Sequence, residues 1–161
     1  MTTEKNIMPE TISFYRKKMG EIQFTPAPPR LIENKQKAGV VFIEAANVLK
    51  DNPDKNDWDN KVILSFAAKD IAEFLYGVRT GANKPVNQDI INIVHTNPKT
   101  EKVVSFKVTT GNNGTFKVSI SGFSKSSPDE KVNTNIYLDG KDMTLLCLVL
   151  ESAIPTILGL R

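Results

Sequence analysis

The chain has 161 residues, 40% hydrophobic and 24% charged, with 21 basic against 18 acidic side chains and a net charge of +3. That is the composition of one globular domain large enough to bury a core. It excludes a disulfide scaffold, because Cys147 is the only cysteine, and its mild positive charge permits an anionic partner without requiring one.

Residues 1–10 read as a flexible polar tail, and residues 11–161 as the domain. The start carries neither an apolar signal core nor an arginine-rich transit pattern, which predicts a cytoplasmic protein. Thr11–Tyr15 and Met19–Thr25 alternate as strands and bracket Arg16-Lys17-Lys18. Thr25–Arg30, with Pro26, Pro28 and Pro29, predicts an extended crossover or sheet edge, since proline cannot donate to a ladder. Lys37–Leu49 predicts one long strand, Lys50–Asn56 a surface turn, and Asp57–Phe66 the next strand, carrying Trp58 and Lys61. A first helix is expected from Lys69 to Tyr76, followed by a loop over Gly77–Asn87. The second half repeats the scheme. Strands are expected at Ile90–His95, Lys102–Thr109 and Thr115–Phe123, a hairpin turn at Thr110–Gly114, a loop at Ser124–Glu130, and a last strand at Val132–Leu138.

The closing stretch, Asp139–Leu160, predicts a second helix with Asp139 as its N-cap and Gly159 as its stop. Every residue from Leu145 to Leu150 is apolar, so no clean amphipathic stripe is visible. A helix apolar all round must be covered all round, which implies a second layer or another copy of the protein. A membrane span is disfavoured, because it needs roughly 20 apolar residues and Glu151, Ser152 and Pro155 interrupt. The stretch also has a twin: Lys69-Asp70 and Lys141-Asp142 each follow a strand, open an apolar helix, and lie 72 residues apart. The pattern is therefore four strands and a helix, twice (ββββα twice), in a single α+β domain with internal pseudo-repetition.

Catalytic chemistry finds little support. His95 is the only histidine, no serine sits in a Gly-x-Ser-x-Gly elbow, and no phosphate loop or dinucleotide fingerprint appears. Cys147 lies in the apolar helix, where a buried thiol is expected and not a nucleophile. No enzyme, metal site or cofactor is predicted. The outward faces say more. Lys107 and Lys117 point the same way on two strands of one hairpin, Arg16-Lys17-Lys18 lies between Tyr15 and Phe24, and Trp58 is near Lys61. Lysines beside aromatic rings on an exposed face suit single-stranded nucleic acid, since charge tracks phosphates and rings stack on unpaired bases.

These residues resemble the Whirly family of single-stranded-DNA-binding proteins, over about Tyr15–Leu160. Tyr15-Arg16-Lys17-Lys18-Met19-Gly20 is similar to the family's Tyr-Lys-Gly-Lys-Ala-Ala, with Lys17 in place of the glycine. Pro26-Ala27-Pro28-Pro29 resembles its Pro-Arg-Pro-Pro crossover, and Asp57-Trp58-Asp59-Asn60-Lys61 its Asp-Trp-Ser-Arg-Lys. His95-Thr96-Asn97-Pro98 is similar to His-Asp-Pro with one residue inserted, and Ile154–Leu160 to Leu-Pro-Tyr-Leu-Ile-Gly-Trp with Leu160 for the tryptophan.

The resemblance implies two four-stranded antiparallel sheets each followed by a helix, assembled as a tetramer built on the helices, with sheets radiating as blades and single strands lying across the sheet edges. It also implies a phage or bacterial binder acting in replication, recombination or repair. Candidate nucleic-acid-binding residues are Tyr15, Lys17, Lys18, Lys37, Trp58, Lys61, His95, Lys107 and Lys117. The expected partner is single-stranded DNA, with RNA as the alternative, as in the related mitochondrial RNA-binding proteins of kinetoplastids. Two further alternatives are a structural or regulatory oligomer without nucleic acid and an enzyme using His95.

Overall fold

Alternation of apolar and polar side chains sets most of the strands. The structure, a computed structural model, describes residues 11–160; the expected tail at 1–10 and Arg161 lie outside the described residues. The first half holds β1 (Ile12–Arg16), β2 (Gly20–Ala27), β3 (Arg30–Ile32), β4 (Lys35–Lys37), β5 (Val40–Ala46) and β6 (Val62–Phe66), then helix α1 (Ala68–Gly81). The second half holds β7 (Asp89–Thr96), β8 (Lys102–Thr110), β9 (Phe116–Ser124) and β10 (Ser127–Leu138), then helix α2 (Gly140–Ile157). One antiparallel sheet has the order β1-β2-β5-β6, the other β10-β9-β8-β7, and β3-β4 forms a separate hairpin. The α+β class stands. Two four-stranded sheets are each followed by a helix, and the first half carries in addition the β3–β4 hairpin, inserted between β2 and β5.

Four elements differ from expectation by three residues or more at an end, each through local bonding or packing. The strand expected at Lys37–Leu49 begins at Val40 and ends at Ala46, leaving Val48 with a lone bridge to Asn56. Trp58–Asn60 is a 3-10 helix and not part of β6. Asp57 N–H donates to the Asn47 carbonyl at 2.6 Å and Asn60 Nδ2 to Asp57 Oδ2 at 3.0 Å, so turn bonds replace the ladder there. Helix α1 continues past Tyr76 because Gly77 and Gly81 face β7, where a β-carbon would come within 2.6 Å of Ile91 and 2.5 Å of Ile90. Strand β10 starts at Ser127, using a register shift before Val132 to pair residues expected to be a loop. The prolines behave as expected of an edge: β1 stops opposite Phe24, so Pro26 and Ala27 pair with β5 alone.

The inner faces of the two sheets pack on each other and on both helices. Phe106 of β8 is fully buried at the centre, with ring centroids 6.4 Å from Phe24 of β2, 5.0 Å from Phe66 of β6 and 5.9 Å from Phe74 of α1. Helix α2 inserts Met143, Leu146, Leu150, Ala153 and Ile157, an i, i+3, i+4 stripe that was invisible in the all-apolar sequence. Its other side leaves Leu145 and Leu148 45% and 59% exposed. The chain therefore covers only one flank of this helix.

The internal duplication is visible at the helix starts, since Ala68 and Gly140 are again 72 residues apart. Asp70 Oδ2 accepts from the Ala67 N–H at 2.9 Å, while Asp139 Oδ1 accepts from the Asp142 N–H at 2.8 Å. Gly159 takes φ +74°, the left-handed conformation that ends a helix without a β-carbon penalty. Asp139→Ala removes the side-chain cap of α2 and should cost about 1 kcal/mol of stability, read from urea unfolding at fixed protein concentration.

Candidate nucleic-acid interface

The outer face of the second sheet is a polar platform assembled by register. Cross-strand rows run Asn92, Lys107, Ser119, Asn135, then Asp89, Thr109, Lys117, Tyr137. Lys107 and Lys117 thus share one face on a diagonal, as expected. Hydrogen bonds between neighbours hold the rows: Ser119 Oγ donates to Asn135 Oδ1 at 2.6 Å, and the Ser105 and Ser121 hydroxyls lie 2.7 Å apart. Tyr137, opposite Lys117 and 45% exposed, supplies an aromatic ring at the margin. Asp89 at the β7 edge lies 3.3 Å from Lys107 Nζ, so part of that charge is internally balanced, and no such partner meets Lys117 among the described residues.

Two adjoining clefts run between edge strand β6 and the second sheet. One, about 470 Å³, has Asp59, Asn60 and Lys61 on one side and Lys102, Gly122 and Phe123 on the other. The next, about 530 Å³, is lined by Ser65, His95, Asn97, Lys99 and Thr100, and shares Ile63, Lys102 and Val104 with the first. Lys61 Nζ pairs with Glu44 Oε1 at 2.7 Å, so it reaches across the outer face of the first sheet. His95 Nε2 lies 3.3 Å from Asp70 Oδ1 in the first turn of α1. The histidine at the end of β7 therefore meets the start of a helix.

At the opposite end, Lys17 and Lys18 occupy the tight β1–β2 turn, closed by Met19 N–H donating to the Arg16 carbonyl at 3.0 Å. Lys18 adopts φ +63° there, and both lysines are exposed. Arg16 beside them is a strap: it pairs with Asp142 of α2 and donates from Nε to the Tyr137 carbonyl at 2.9 Å. That strap ties the end of β1, where Tyr15 is 46% exposed, to the backbone of β10 at Tyr137. Two first-turn aspartates thus each meet a side chain from the first strand of the sheet that precedes the other helix, the Arg16 guanidinium at Asp142 and the His95 imidazole at Asp70.

The expected residues fall into separate groups. Lys107 and Lys117 lie on the platform, Tyr15, Lys17 and Lys18 at one end, Lys61 and His95 at the clefts, and Lys37 on the β3–β4 hairpin. Trp58 is half-buried on its 3-10 turn and does not line the 470 Å³ cleft that Asp59–Lys61 border. Sequence reasoning left out Tyr137, Phe123, Lys99 and Lys102. The first two were legible, since Ile136, Leu138 and Ile120 point inward and odd-numbered neighbours must point out. Lys99 and Lys102 join the site only through the β6 crossing.

Cys147 is half-buried, and burial pushes its thiol above the usual range; the nearby Arg79 charge pulls it down and Glu151 raises it. A protonated thiol is a poor nucleophile. Among the described residues no three His, Cys, Asp or Glu side chains cluster as metal ligands, and no helix is long and apolar enough to cross a membrane.

Comparison with solved structures finds the same architecture. The chain is similar to WHY3 from Arabidopsis thaliana, with TM-score 0.72 and 15% identity over 93% of this chain and 89% of that one. It is similar to WHY1 from Arabidopsis thaliana, with TM-score 0.73 and 13% identity over 94% and 86%. The plant transcriptional regulator PBF-2 matches with TM-score 0.71 and 16% identity over 94% and 84%. The fold is Whirly-like. No protein-family model and no curated protein sequence matches the chain.

Proposed function

We propose that this protein is a non-catalytic, largely sequence-independent single-stranded-DNA-binding protein acting in replication, recombination or repair. The observation that carries the reading is the second sheet's outer face, where Lys107, Lys117 and Tyr137 stand among serine, threonine and asparagine side chains. Cations meet phosphates, the ring meets a base face, and the short polar groups accept any base edge, so affinity does not depend on sequence. The clefts beside β6 extend this surface with Lys99, Lys102 and Phe123. The likeness to PBF-2, a transcriptional regulator, agrees with a nucleic-acid partner. Copies assemble through the uncovered side of α2, as a tetramer in the arrangement the sequence resemblance implied.

Anisotropy of a fluorescent dT oligomer titrated with the full chain tests this. Affinity should fall with salt at a log–log slope of about −0.7 per phosphate neutralised. Lys107→Ala with Lys117→Ala should flatten that slope by about 1.4, two phosphates' worth. No binding at low salt, or a parental affinity indifferent to salt, would overturn the reading. The hydroxyl and amide rows also fit an RNA 2′-hydroxyl; competition between DNA and RNA oligomers of one sequence separates the two ligands.

A further inference from the structure

The β3–β4 hairpin was absent from the sequence-level layout, and its register gathers charge. Arg30 stands opposite Lys37 and Ile32 opposite Lys35, with Leu31 opposite Gln36 on the other side. Opposed residues and residues two apart share a face, so Arg30, Lys35 and Lys37 project together while the one acid, Glu33, sits in the turn. Like charges directly opposed destabilise a ladder. Among the described residues none of the three cations forms an ion pair. A polyanion along that face relieves the repulsion.

The hairpin is also anchored and aimed. At its base Gly39 presses so close to α2 that a β-carbon there would lie 2.4 Å from Ile157 Cα, and Pro29 lies against Gly159. The Arg30 guanidinium sits over the Phe42 ring, 5.7 Å from its centroid, an arrangement that leaves its in-plane N–H groups free to bind phosphate. Phe42 pairs with Ser65 of β6, and Ser65 lines the cleft that holds His95 and Lys99. With strands about 4.8 Å apart, the arm's root is on the order of 10 Å from that cleft, the span of a nucleotide or two of extended strand.

We infer that the β3–β4 hairpin is a basic arm that grips the phosphate backbone of a single strand as it leaves the cleft beside β6. This inference rests on the proposed function and adds a second contact to it. Three cations contribute about 2 to the salt slope at about 0.7 each. The test compares the full chain with Arg30→Gln/Lys35→Gln/Lys37→Gln and with Lys35→Gln/Lys37→Gln, which keeps the Arg30–Phe42 contact. All three positions are exposed and their substitution relieves repulsion, so neither variant should melt below the parental chain. With a fluorescent dT oligomer, the triple variant should lose about 2 from the slope and the double about 1.4, with low-salt binding retained. Parental slopes in both variants would overturn the arm while leaving the proposed function standing. An altered mass by light scattering with an unchanged slope would likewise overturn it, assigning the hairpin to a second copy of the chain. Failure of the parental chain to bind removes both.

Discussion

Replacing Phe106 by alanine should lower folding stability by about 3–5 kcal/mol, the range for deleting a buried aromatic side chain. The ring is fully buried and touches a phenylalanine from each of three other elements, Phe24, Phe66 and Phe74. Its loss leaves a cavity that the two sheets and α1 cannot close together, because each is held by its own ladder or helix bonds. Edge-to-face partners add about 0.5–1.5 kcal/mol per pair beyond burial, which moves the expectation to the upper half of the range. For a chain of this length each kcal/mol corresponds to about 2–4 °C, so the melting temperature should fall by about 10 °C or more. Thermal unfolding at one fixed protein concentration reads this. A drop within a degree or two would show that Phe106 is not the hub of the core.

The second large effect concerns assembly. Leu145→Glu with Leu148→Glu should reduce the particle mass in light scattering to that of the 17.9 kDa protomer while the melt of the protomer persists. These leucines flank an open depression of about 650 Å³ with Lys141 and Thr144, on the side of α2 opposite the Leu146–Leu150 stripe. Covering a leucine contributes about 1.5–3 kcal/mol, whereas burying an unpaired carboxylate costs several, so the paired substitution reverses the sign of the interface. Because both positions are exposed in the protomer, folding itself is spared. A mass unchanged by the double substitution would place any interface elsewhere; a parental protein that already runs as a protomer would remove the assembly from the proposed function.

The second half of the chain was legible apart from the start of β10, where residues 127–131 were expected to be loop. Lys102–Thr109 and Thr115–Phe123 alternate residue by residue, and the observed strands differ from those spans by a residue at an end. Alternation also set Lys107 and Lys117 on one face before any pairing was known. The first half was harder. Arg30–Lys37 is exposed on both sides, so it has no apolar period to betray its strands, and a hairpin held by backbone bonds alone is silent in such a pattern. Trp58 was drawn into β6 because its neighbours alternate, while Asp57 and Asn60 close a turn that local bonding favours.

What the sequence by itself determined was the α+β class, the strand faces, two helices that start 72 residues apart, and Asp139 as the cap of α2. These are consequences of side-chain period and of bonds between residues three or four apart, which neighbours in the chain decide among themselves. Only the tertiary structure decided that Lys61 is answered by Glu44, His95 by Asp70, and Arg16 by Asp142 across 126 residues. It alone laid β6 over the second sheet to make the clefts, and set Arg30 of the β3–β4 hairpin over the Phe42 ring. Such pairings depend on how separate elements cross, which is settled by packing around Phe106 and not by any local pattern.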